Sequence, residues 1–273
     1  MSNKAEQFHA LHQEGCFVIA NAWDAGSATL LAQSGFAALA TTSAGLAFML
    51  GRPDGEARVC RAEAIANARD IVAATALPVS ADLEDGYGPT PEDCAATVRA
   101  AIAAGLCGCT IEDTTADPNQ PIRGFDDAVA RVRAAVEAAR AAPHFVLTAR
   151  SENFLHARPD LDDTVRRLVA FAEVGAGCLY APGLPDMAAV RAVVAAVAPK
   201  PVNVLFGPRD GLVPLATLAE AGVRRVSVGG AIARSAYERA IAMGAALMAG
   251  DIPAAMAGIM PNAALNERMR RGG

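Results

Sequence analysis

The feature that most constrains the fold is an alternation of two kinds of segment along the chain. Short apolar runs with strand character alternate with alanine-rich segments whose apolar residues recur at helical spacing. The predicted strands are residues 16–20, 36–41, 78–82, 108–112, 145–150, 178–180, 201–205 and 225–228. The predicted helices between them are residues 25–33, 61–76, 91–104, 126–141, 162–174, 186–198 and 214–221, and two more helical segments follow at 231–249 and 252–269.

Eight strands that alternate with helices, with no polar linker between them, predict an α/β fold, a (β/α)8 barrel of the TIM type. Such barrels form one domain of about 250 residues, so residues 1–273 are predicted to be a single domain. An open doubly wound sheet is the alternative. One of the two last helical segments completes the eighth unit and the other is surplus, so we expect the helices of residues 231–270 to lie at a subunit interface.

Composition excludes several classes of partner. Hydrophobic residues make up 53% of the chain, enough for a large core, and the net charge of -5 argues against nucleic acid or an anionic membrane as the main partner. The chain has no apolar run of 18 residues and no apolar signal core near its start, which favours a cytoplasmic protein. The six cysteines form no CxxC pair, so we expect mostly buried structural thiols.

The most informative short segment is residues 79–88, V-S-A-D-L-E-D-G-Y-G. Side chains alternate faces on a strand, so Asp82 and Glu84 are predicted to point the same way while Leu83 packs on the other side. Two neighbouring carboxylates at the end of a buried strand repel each other, and either a proton held at a raised pKa or a bound cation must offset that repulsion. A solvated acidic turn is the alternative interpretation.

Barrels of this type carry their chemistry at the carboxyl ends of the strands, and polar residues collect there in this sequence. The residues expected at this rim include Asn21, Ser43, Asp82, Glu84, Glu112, Arg150, Glu152, Tyr180, Asn203 and Ser227. Three of the carboxylates (Asp82, Glu84 and Glu112) are expected to converge with no lysine nearby, which favours a hard cation such as Mg²⁺. With only four histidines in the chain, a zinc site is not expected.

Three further segments of the rim are candidates for binding or closure. The Arg150 guanidinium suits a substrate carboxylate, although a salt bridge to Glu112 or Glu152 is an equal alternative. The turn of residues 43–46 could present backbone N–H groups to an anion, or be an ordinary small-residue turn. The polar loops 114–125 and 50–60, the second of which carries Asp54, are candidate lids.

In these motifs the chain resembles the isocitrate lyase/phosphoenolpyruvate mutase superfamily. The matching motifs are A-D-L-E-D-G-Y-G at 81–88, T-T-S-A-G-L at 41–46, G-R-P-D-G-E at 51–56, I-E-D at 111–113, A-R-S-E-N-F at 149–154, V-N-V-L at 202–205 and V-R-R-V-S-V-G-G at 223–230. They span nearly the whole chain in the right order. The resemblance implies a barrel whose eighth helix is exchanged between subunits of a dimer or homotetramer, a bound Mg²⁺, and small 2-oxo acid or dicarboxylate substrates.

The resemblance also implies roles for individual residues. Asp82 would be the metal ligand, and Glu84 and Glu112 would hold metal-bound waters. Ser43, Ala44, Gly45 and Leu46 would bind the substrate carboxylate, with Arg150 and Asn203 also facing the substrate. Asp54, Arg150 and Asn119 would be the catalytic residues.

Departures from the superfamily pattern narrow the function. The lyases for isocitrate and methylisocitrate carry a Lys-Lys-Cys-Gly-His loop after the fourth strand, whereas residues 114–122 read T-T-A-D-P-N-Q-P-I, with no cysteine or histidine. The phosphonate enzymes have an asparagine on this loop, and Asn119 could match it. The histidine that some members place after the sixth strand is also missing.

These observations lead to three hypotheses. The first is a Mg²⁺-dependent lyase or decarboxylase that breaks a carbon–carbon bond next to a 2-oxo acid, through an enolate, on an oxaloacetate-like or substituted malate substrate. The second is a phosphorus–carbon enzyme: a phosphoenolpyruvate or carboxyphosphonoenolpyruvate mutase, or a phosphonopyruvate hydrolase. The third is an inactive barrel that binds a 2-oxo acid. Only Arg123 adds a basic side chain to the 114–125 loop, which favours the first over the second.

Overall fold

The structure is a computed structural model that describes residues 2–206 and 211–270. Its strands are β1 (Phe17–Asn21), β2 (Leu39–Ala40), β3 (Val79–Asp82), β4 (Gly108–Glu112), β5 (Val146–Arg150), β6 (Cys178–Tyr180), β7 (Val202–Leu205) and β8 (Arg225–Ser227). Its helices are α1 (Ser2–Ala10), α2 (Ala25–Ala32), α3 (Ser43–Met49), α4 (Arg61–Ala73), α5 (Pro91–Ala103), α6 (Phe125–Ala139), α7 (Leu161–Glu173), α8 (Met187–Val197), α9 (Leu215–Glu220), α10 (Ala231–Met248), α11 (Ile252–Met256) and α12 (Asn262–Arg270).

The eight strands form one closed parallel barrel in chain order, with β8 paired to β1. The predicted (β/α)8 barrel is confirmed, and the open sheet is excluded. Each predicted strand is present, although β2 has two residues where six were expected, at 36–41. Parallel pairing places all eight carboxyl ends at one rim, which therefore gathers the polar residues that end the strands.

Local sequence signals set several helix ends. Gly35, Gly105, Gly175 and Gly222 each follow a helix with φ between 87° and 110°, a conformation that only glycine adopts without strain. At the start of α5, the Thr90 hydroxyl accepts the Asp93 N–H, the Asp93 carboxylate accepts the Thr90 N–H in return, and Pro91 takes the first helical position. These short-range bonds fix where each helix meets its strand.

Two helices were missed by the sequence analysis. Helix α1 is mostly polar, but its Phe8 is fully buried against the starts of β4 and β5, in a small apolar cluster with Ile19, Ala38 and Val146. It therefore covers the amino-terminal end of the barrel. Helix α3 occupies residues 43–49, where a turn was expected; its first residues lie at the rim.

The carboxyl-terminal region also differs from expectation. The segment 252–269 was predicted as one helix but forms two, α11 and α12, interrupted around Ala257–Pro261. Helix α10 has 18 residues, of which only Ala233 is buried, while α12 packs back on α2 through the Gln33 Nε2 hydrogen bond to the Arg268 carbonyl at 2.7 Å. No helix within the described residues combines the length and the apolarity needed to cross a membrane.

Four of the six cysteines (Cys94, Cys107, Cys109 and Cys178) are buried, Cys16 is half-buried and Cys60 is exposed; all six are free. The expectation of mostly buried structural thiols therefore holds for the four. Burial raises the pKa of the Cys94 thiol to about 11, so this side chain behaves as a small apolar group in the core.

Candidate active site

Two adjoining cavities open at the carboxyl-terminal rim of the barrel. The inner cavity, of about 170 Å³, extends into the barrel interior. The outer cavity, of about 200 Å³, lies under the loop that follows β4. Ser43, Asp54 and Arg150 line both, so the two cavities meet at these residues. The structure thus gathers side chains from distant parts of the sequence around one small space.

Arg150, the last residue of β5, is the centre of this space. Its Nη1 donates to Asp82 Oδ1 at 2.9 Å, its Nη2 pairs with Glu112 Oε2 at 3.2 Å, and its Nε donates to Glu152 Oε1 at 2.7 Å. The guanidinium also lies over the Tyr180 ring, 5.0 Å from its centroid. The sequence left two roles open for Arg150, a contact with a substrate carboxylate or a salt bridge to Glu112 or Glu152. The structure shows salt bridges to both glutamates and to Asp82.

Asp82 is held as a carboxylate. Its Oδ2 accepts the Ser43 hydroxyl at 2.9 Å, and its Oδ1 accepts the Thr110 hydroxyl at 3.1 Å as well as Arg150. Burial alone would raise its pKa, but Arg150 and the bonds from Ser43 and Thr110 outweigh burial and lower the pKa. Asp82 therefore keeps its negative charge at neutral pH, as a metal ligand must.

Glu84 and Glu112 are held differently. Burial, reinforced by the negative charges of Asp82 and Asp54, raises the pKa of Glu84 to about 8. Burial also raises the pKa of Glu112 well above its ordinary value, although Arg150 opposes this. The raised pKa values of Glu84 and Glu112 correspond to one of the two expected ways to offset the repulsion, a held proton; the other, a bound cation, stays a prediction.

The strand-alternation argument for Glu84 was wrong, although Glu84 does reach the rim. Strand β3 ends at Asp82, and Glu84 adopts a left-handed conformation (φ 45°) in the following turn. Glu84 lines the outer cavity, whereas Asp82 lines the inner one. A backbone hydrogen bond links the turn after β3 to the end of β4: the Glu112 N–H donates to the Glu84 carbonyl at 2.9 Å.

The acidic donor set can be compared with what a cation needs. Among the described residues, no three ligand-type side chains converge closely enough to form a ready coordination sphere. The Arg150 guanidinium binds both Asp82 and Glu112 and so lies between them. The donors closest to Arg150 are carboxylate and hydroxyl oxygens, which suit a hard cation that keeps several of its waters, as Mg²⁺ does.

Residues 43–46 form the first turn of helix α3, where an isolated turn was expected. The Gly45 N–H donates to the Thr42 hydroxyl at 3.2 Å, and the Leu46 N–H donates to the Thr42 carbonyl at 3.0 Å. These two N–H groups are therefore engaged within the helix, and neither residue lines a cavity. Ser43 and Ala44 do line the inner cavity.

The remaining predicted residues differ in their position relative to the two cavities. Asn203 is buried and lines the inner cavity, and its Nδ2 donates to the Ser227 hydroxyl at 3.0 Å. Asp54 is exposed as a residue, but surrounding protein partly encloses its carboxyl, and this burial together with the Asp82 charge raises its pKa. Asn119 is exposed, with its N–H bonded to Asp117 Oδ1 at 2.9 Å, and it lines neither cavity.

The loop 114–125 forms part of the wall of the outer cavity. Thr114 pairs with Ile122 in an isolated bridge, and the Thr115 N–H donates to the Pro121 carbonyl at 2.8 Å. Thr114, Thr115 and Ala116 line the cavity. Arg123 is engaged by Asp85 at 2.8 Å and by Asp127 at 3.2 Å, so the loop turns no basic side chain toward the cavity.

Two residues at the site were missed by the sequence analysis. Arg225, the first residue of β8, lines the inner cavity, and His156 lines the outer one. A signal for Arg225 was present: Ser227 was expected at the rim, and the side chain two residues earlier on a strand points the same way. His156 lies in the loop after β5, where no sequence period places a side chain.

A family model described as phosphoenolpyruvate phosphomutase matches residues 8–248. The chain belongs to the isocitrate lyase/phosphoenolpyruvate mutase superfamily. A crystal structure from Burkholderia cenocepacia J2315, provisionally assigned as a lyase/mutase, is 48% identical with a TM-score of 0.92, and the match covers 97% of this chain and 94% of that one.

Two relatives within the superfamily have named activities. The 2-methylisocitrate lyase of Escherichia coli strain K12 is 31% identical over 195 residues, which cover 69% of this chain and 64% of the lyase. The oxaloacetate decarboxylase of Rhodopseudomonas palustris strain BisA53 is 30% identical over 229 residues, which cover 82% of this chain and 76% of the decarboxylase. Lyases, decarboxylases and mutases of small acids therefore share this superfamily.

Proposed function

We propose that the protein is a Mg²⁺-dependent enzyme that breaks a carbon–carbon bond next to a 2-oxo acid, as a lyase or decarboxylase of an oxaloacetate-like or substituted malate substrate. The observation that carries this proposal is the set of buried carboxylates that Arg150 gathers at the meeting point of two small cavities. Cavities of this size suit a small acid. Oxygen donors alone suit a hard cation.

The chain's own residues account for binding and orientation. When bound, Mg²⁺ would polarise the oxygens of the 2-oxo acid and so favour the negative charge that develops as the bond to C3 breaks. Asp82, kept ionised by its four contacts, would hold the cation, with Glu84 and Glu112 acting through waters. Ser43, Ala44 and Asn203 line the wall against which the substrate would lie.

Proton transfer needs a group that titrates and faces both cavities. Asp54 meets this requirement, because it lines both cavities and its pKa is raised by burial and by Asp82. Tyr180 also lines the inner cavity, but burial raises its pKa further above neutrality, so it would act only as a hydrogen-bond donor. A catalytic role for Asn119 would require the loop 114–125 to turn inward.

A phosphorus–carbon enzyme is the second candidate, because the matching family model is described as a phosphomutase. A phosphonate carries up to two negative charges and calls for basic residues near it. The loop 114–125 offers only Arg123, which Asp85 and Asp127 already engage. The carbon–carbon reaction therefore stays first.

The test is an NMR assay with Mg²⁺ and four substrates: oxaloacetate, 2-methylisocitrate, 2,3-dimethylmalate and phosphonopyruvate. We expect a 2-oxo acid product from one of the three carbon substrates. EDTA should abolish it, and Asp82→Asn should slow it at least about 100-fold, as loss of an electrostatic donor does. Asp127→Asn, which changes an acid outside both cavities, should leave the rate unchanged.

The other outcomes point elsewhere. Turnover of phosphonopyruvate alone would replace the first candidate with the second and make Asn119→Ala the next variant to measure. Binding of Mg²⁺ and ligand without any turnover would support an inactive binding barrel.

We also propose that the protein works as a homo-oligomer, a dimer or tetramer, with residues 231–270 at the interface. The observation that supports this is α10, whose 18 residues include only one that is buried. An exchanged helix from a second subunit would cover it.

A further inference from the structure

A buried arginine without an acidic partner lies at the inner end of the barrel cavity. Arg225 is only 3% exposed, and among the described residues no carboxylate forms an ion pair with it. Two other deeply buried arginines, Arg131 and Arg167, are each paired with aspartates. An unpaired buried charge is costly, so Arg225 is an exception that calls for a physical reason.

The partners of Arg225 are all neutral. Its Nε donates to Asn203 Oδ1 at 2.8 Å and its Nη2 to the Thr148 hydroxyl at 3.0 Å. Its Nη1 lies 3.2 Å from His12 Nε2, and His12 Nδ1 lies 2.8 Å from the Phe8 carbonyl, which assigns the proton to Nδ1 and the acceptor lone pair to Nε2. Burial and the Arg225 charge lower the pKa of His12 to about 3, so His12 adds no charge.

The position of Arg225 follows from strand geometry. Its partner Thr148 precedes Arg150 by two residues on β5, so both side chains point into the barrel and lie roughly 7 Å apart along the strand. The Arg225 guanidinium therefore lies one layer below that of Arg150, and both line the same cavity. The cavity wall also carries the hydroxyls of Ser80 and Thr110 and the small side chain of Ala40, which leaves the space open.

The two arginines differ in the charge they can offer a ligand. Arg150 is already engaged by Asp82, Glu112 and Glu152, so its charge is balanced within the protein. Arg225 has five N–H donors, and only three of them meet the partners given above. It is thus the cation in the inner cavity whose charge no protein carboxylate balances among the described residues.

We propose that Arg225 binds a second anionic group of the substrate, a carboxylate or a phosphonate, that enters the barrel interior past Arg150. This proposal rests on the proposed function in one respect: the other end of the substrate is taken to be the 2-oxo acid group that would lie near Asp82. Arg225 is then a specificity-determining residue: it selects substrates with two anionic ends over those with one. Ser80 supplies a further hydroxyl donor along the way.

The experiment compares ligands that differ only at the second end. Isothermal titration with Mg²⁺ present measures the binding of 2-hydroxybutyrate, malate and 3-phosphonolactate, with NMR to show that each stays intact. We expect malate or phosphonolactate to bind the wild type at least about tenfold more tightly than 2-hydroxybutyrate, as charge-assisted hydrogen bonds do. Whichever of the two binds more tightly identifies the anionic group.

Variants separate this role from a structural one. Arg225→Gln should bring the malate and 2-hydroxybutyrate affinities to within about threefold, whereas a merely structural role would weaken both alike. Arg225→Lys keeps the charge that the barrel already accommodates, and it should keep most of the preference. Arg224→Gln removes the same charge from the neighbouring, partly exposed position and should change nothing.

Equal affinity of the wild type for malate and 2-hydroxybutyrate would overturn the proposal, as would a preference that survives Arg225→Gln. Because the measurement needs no turnover, it is independent of the lyase assay. A protein that cleaves nothing in the panel but prefers doubly charged ligands through Arg225 would refute the proposed reaction and support the anion contact.

Discussion

Arg150 is the residue on which the site most depends, since one guanidinium holds three carboxylates from three different strands or loops. Its planar fork directs Nε, Nη1 and Nη2 to separate acids, which a single ammonium cannot do. The pKa of Arg150 stays well above its ordinary value: burial lowers it, but the charges of Glu152, Glu112 and Asp82 outweigh burial. The pairing therefore keeps the acids together when no other cation is bound.

Arg150→Lys tests this arrangement. We expect a fall of about 2 kcal/mol in the free energy of unfolding, measured by denaturant titration, because two of the three buried carboxylates lose their partner. Arg99→Lys, at the exposed pair with Glu92, is the matched control and should cost less than about 0.5 kcal/mol. Equal effects at the two positions would mean that the Arg150 network adds nothing beyond a surface pair.

His12 gives the protein a pH dependence of defined sign. Burial, together with the Arg225 charge, lowers its pKa from 6.5 in the unfolded chain to about 3 in the folded one. Above pH 6.5 His12 is neutral in both states and has no effect. As the pH falls from 6.5 toward 3, the unfolded chain takes up a proton that the folded chain does not, so the free energy of unfolding falls by up to about 1.4 kcal/mol per pH unit from this residue alone.

His12→Gln removes this titration but can still accept from Arg225 and donate to Phe8. Its unfolding free energy should decline less steeply than that of the wild type between pH 6 and about pH 4, where other groups titrate in both proteins. Denaturant titrations across this range measure the difference. Parallel curves for the two proteins would contradict the assignment.

Much of the site could be predicted residue by residue. Asp82 and Arg150 were found because they end strands, and Asn203 because it is a polar residue on a predicted strand; strand ends meet at one rim whatever the loops do. Arg225 was not predicted because it lies below the rim, at the start of β8. Strand alternation from Ser227 nevertheless indicates that its side chain points into the barrel. The exposed position of Asn119 could not be predicted from the sequence. The placement of a loop residue depends on contacts such as the hydrogen bond to Asp117, which sequence periodicity does not indicate.

At the scale of single elements, α3 shows that a capping residue can start a helix where small residues predict a turn. The small residues of the segment 43–46 predict a turn, but the Thr42 hydroxyl accepts the Gly45 N–H and caps a helix that begins at Ser43. Gly45 lies so close to its surroundings that a Cβ would come within 2.6 Å of the Thr42 methyl and 2.7 Å of the Trp23 Cβ. The absence of a side chain at Gly45 therefore sets how closely α3 approaches the rim.

Gly45→Ala should displace the start of α3, and with it Ser43 and Ala44 of the inner cavity wall. We expect a cost of about 1–3 kcal/mol in the free energy of unfolding, as overpacking has, together with weaker substrate binding. Gly124→Ala is the matched control, because it also changes a glycine next to a helix start but nothing lies within 4 Å of its added methyl. Thermal denaturation of both variants gives the comparison; a Gly45→Ala as stable as Gly124→Ala would show that α3 shifts freely.

For the molecule as a whole, the barrel was the most predictable feature and the carboxyl-terminal helices the least. The barrel could be predicted because each of its eight units carries the same alternation of strand and helix. An error in the bounds of one strand does not change the number of strands. Residues 231–270 do not continue the strand–helix repeat of the barrel. In the structure α10 is exposed, α11 and α12 are separate helices, and of the three only α12 packs on α2. Apolar periodicity predicts that a helix exists but not which surface covers it.

Helix α10 presents the apolar surface that a second subunit would cover. Ile241 and Met248 are 73% and 89% exposed, and Ile241 also lines an apolar groove between α3 and α10, next to the edge contact of Phe48 with Tyr237. Exposed apolar surface is typical of interfaces, and a two-fold contact would bury the same patch on both copies. Because α3 carries Ser43 and Ala44, the second subunit would also support the cavity wall.

Light scattering of the purified protein tests this directly. We expect a mass of two or four times 27.9 kDa. Ile241→Glu places a charge in the apolar surface and should lower the mass or raise the concentration at which subunits associate, at a cost of several kcal/mol if the side chain is buried there. Leu212→Glu introduces the same charge at an 80% exposed leucine outside the carboxyl-terminal helices and should leave the mass unchanged. A wild-type mass of 27.9 kDa at all concentrations would leave α10 exposed in solution and rule out the exchanged helix.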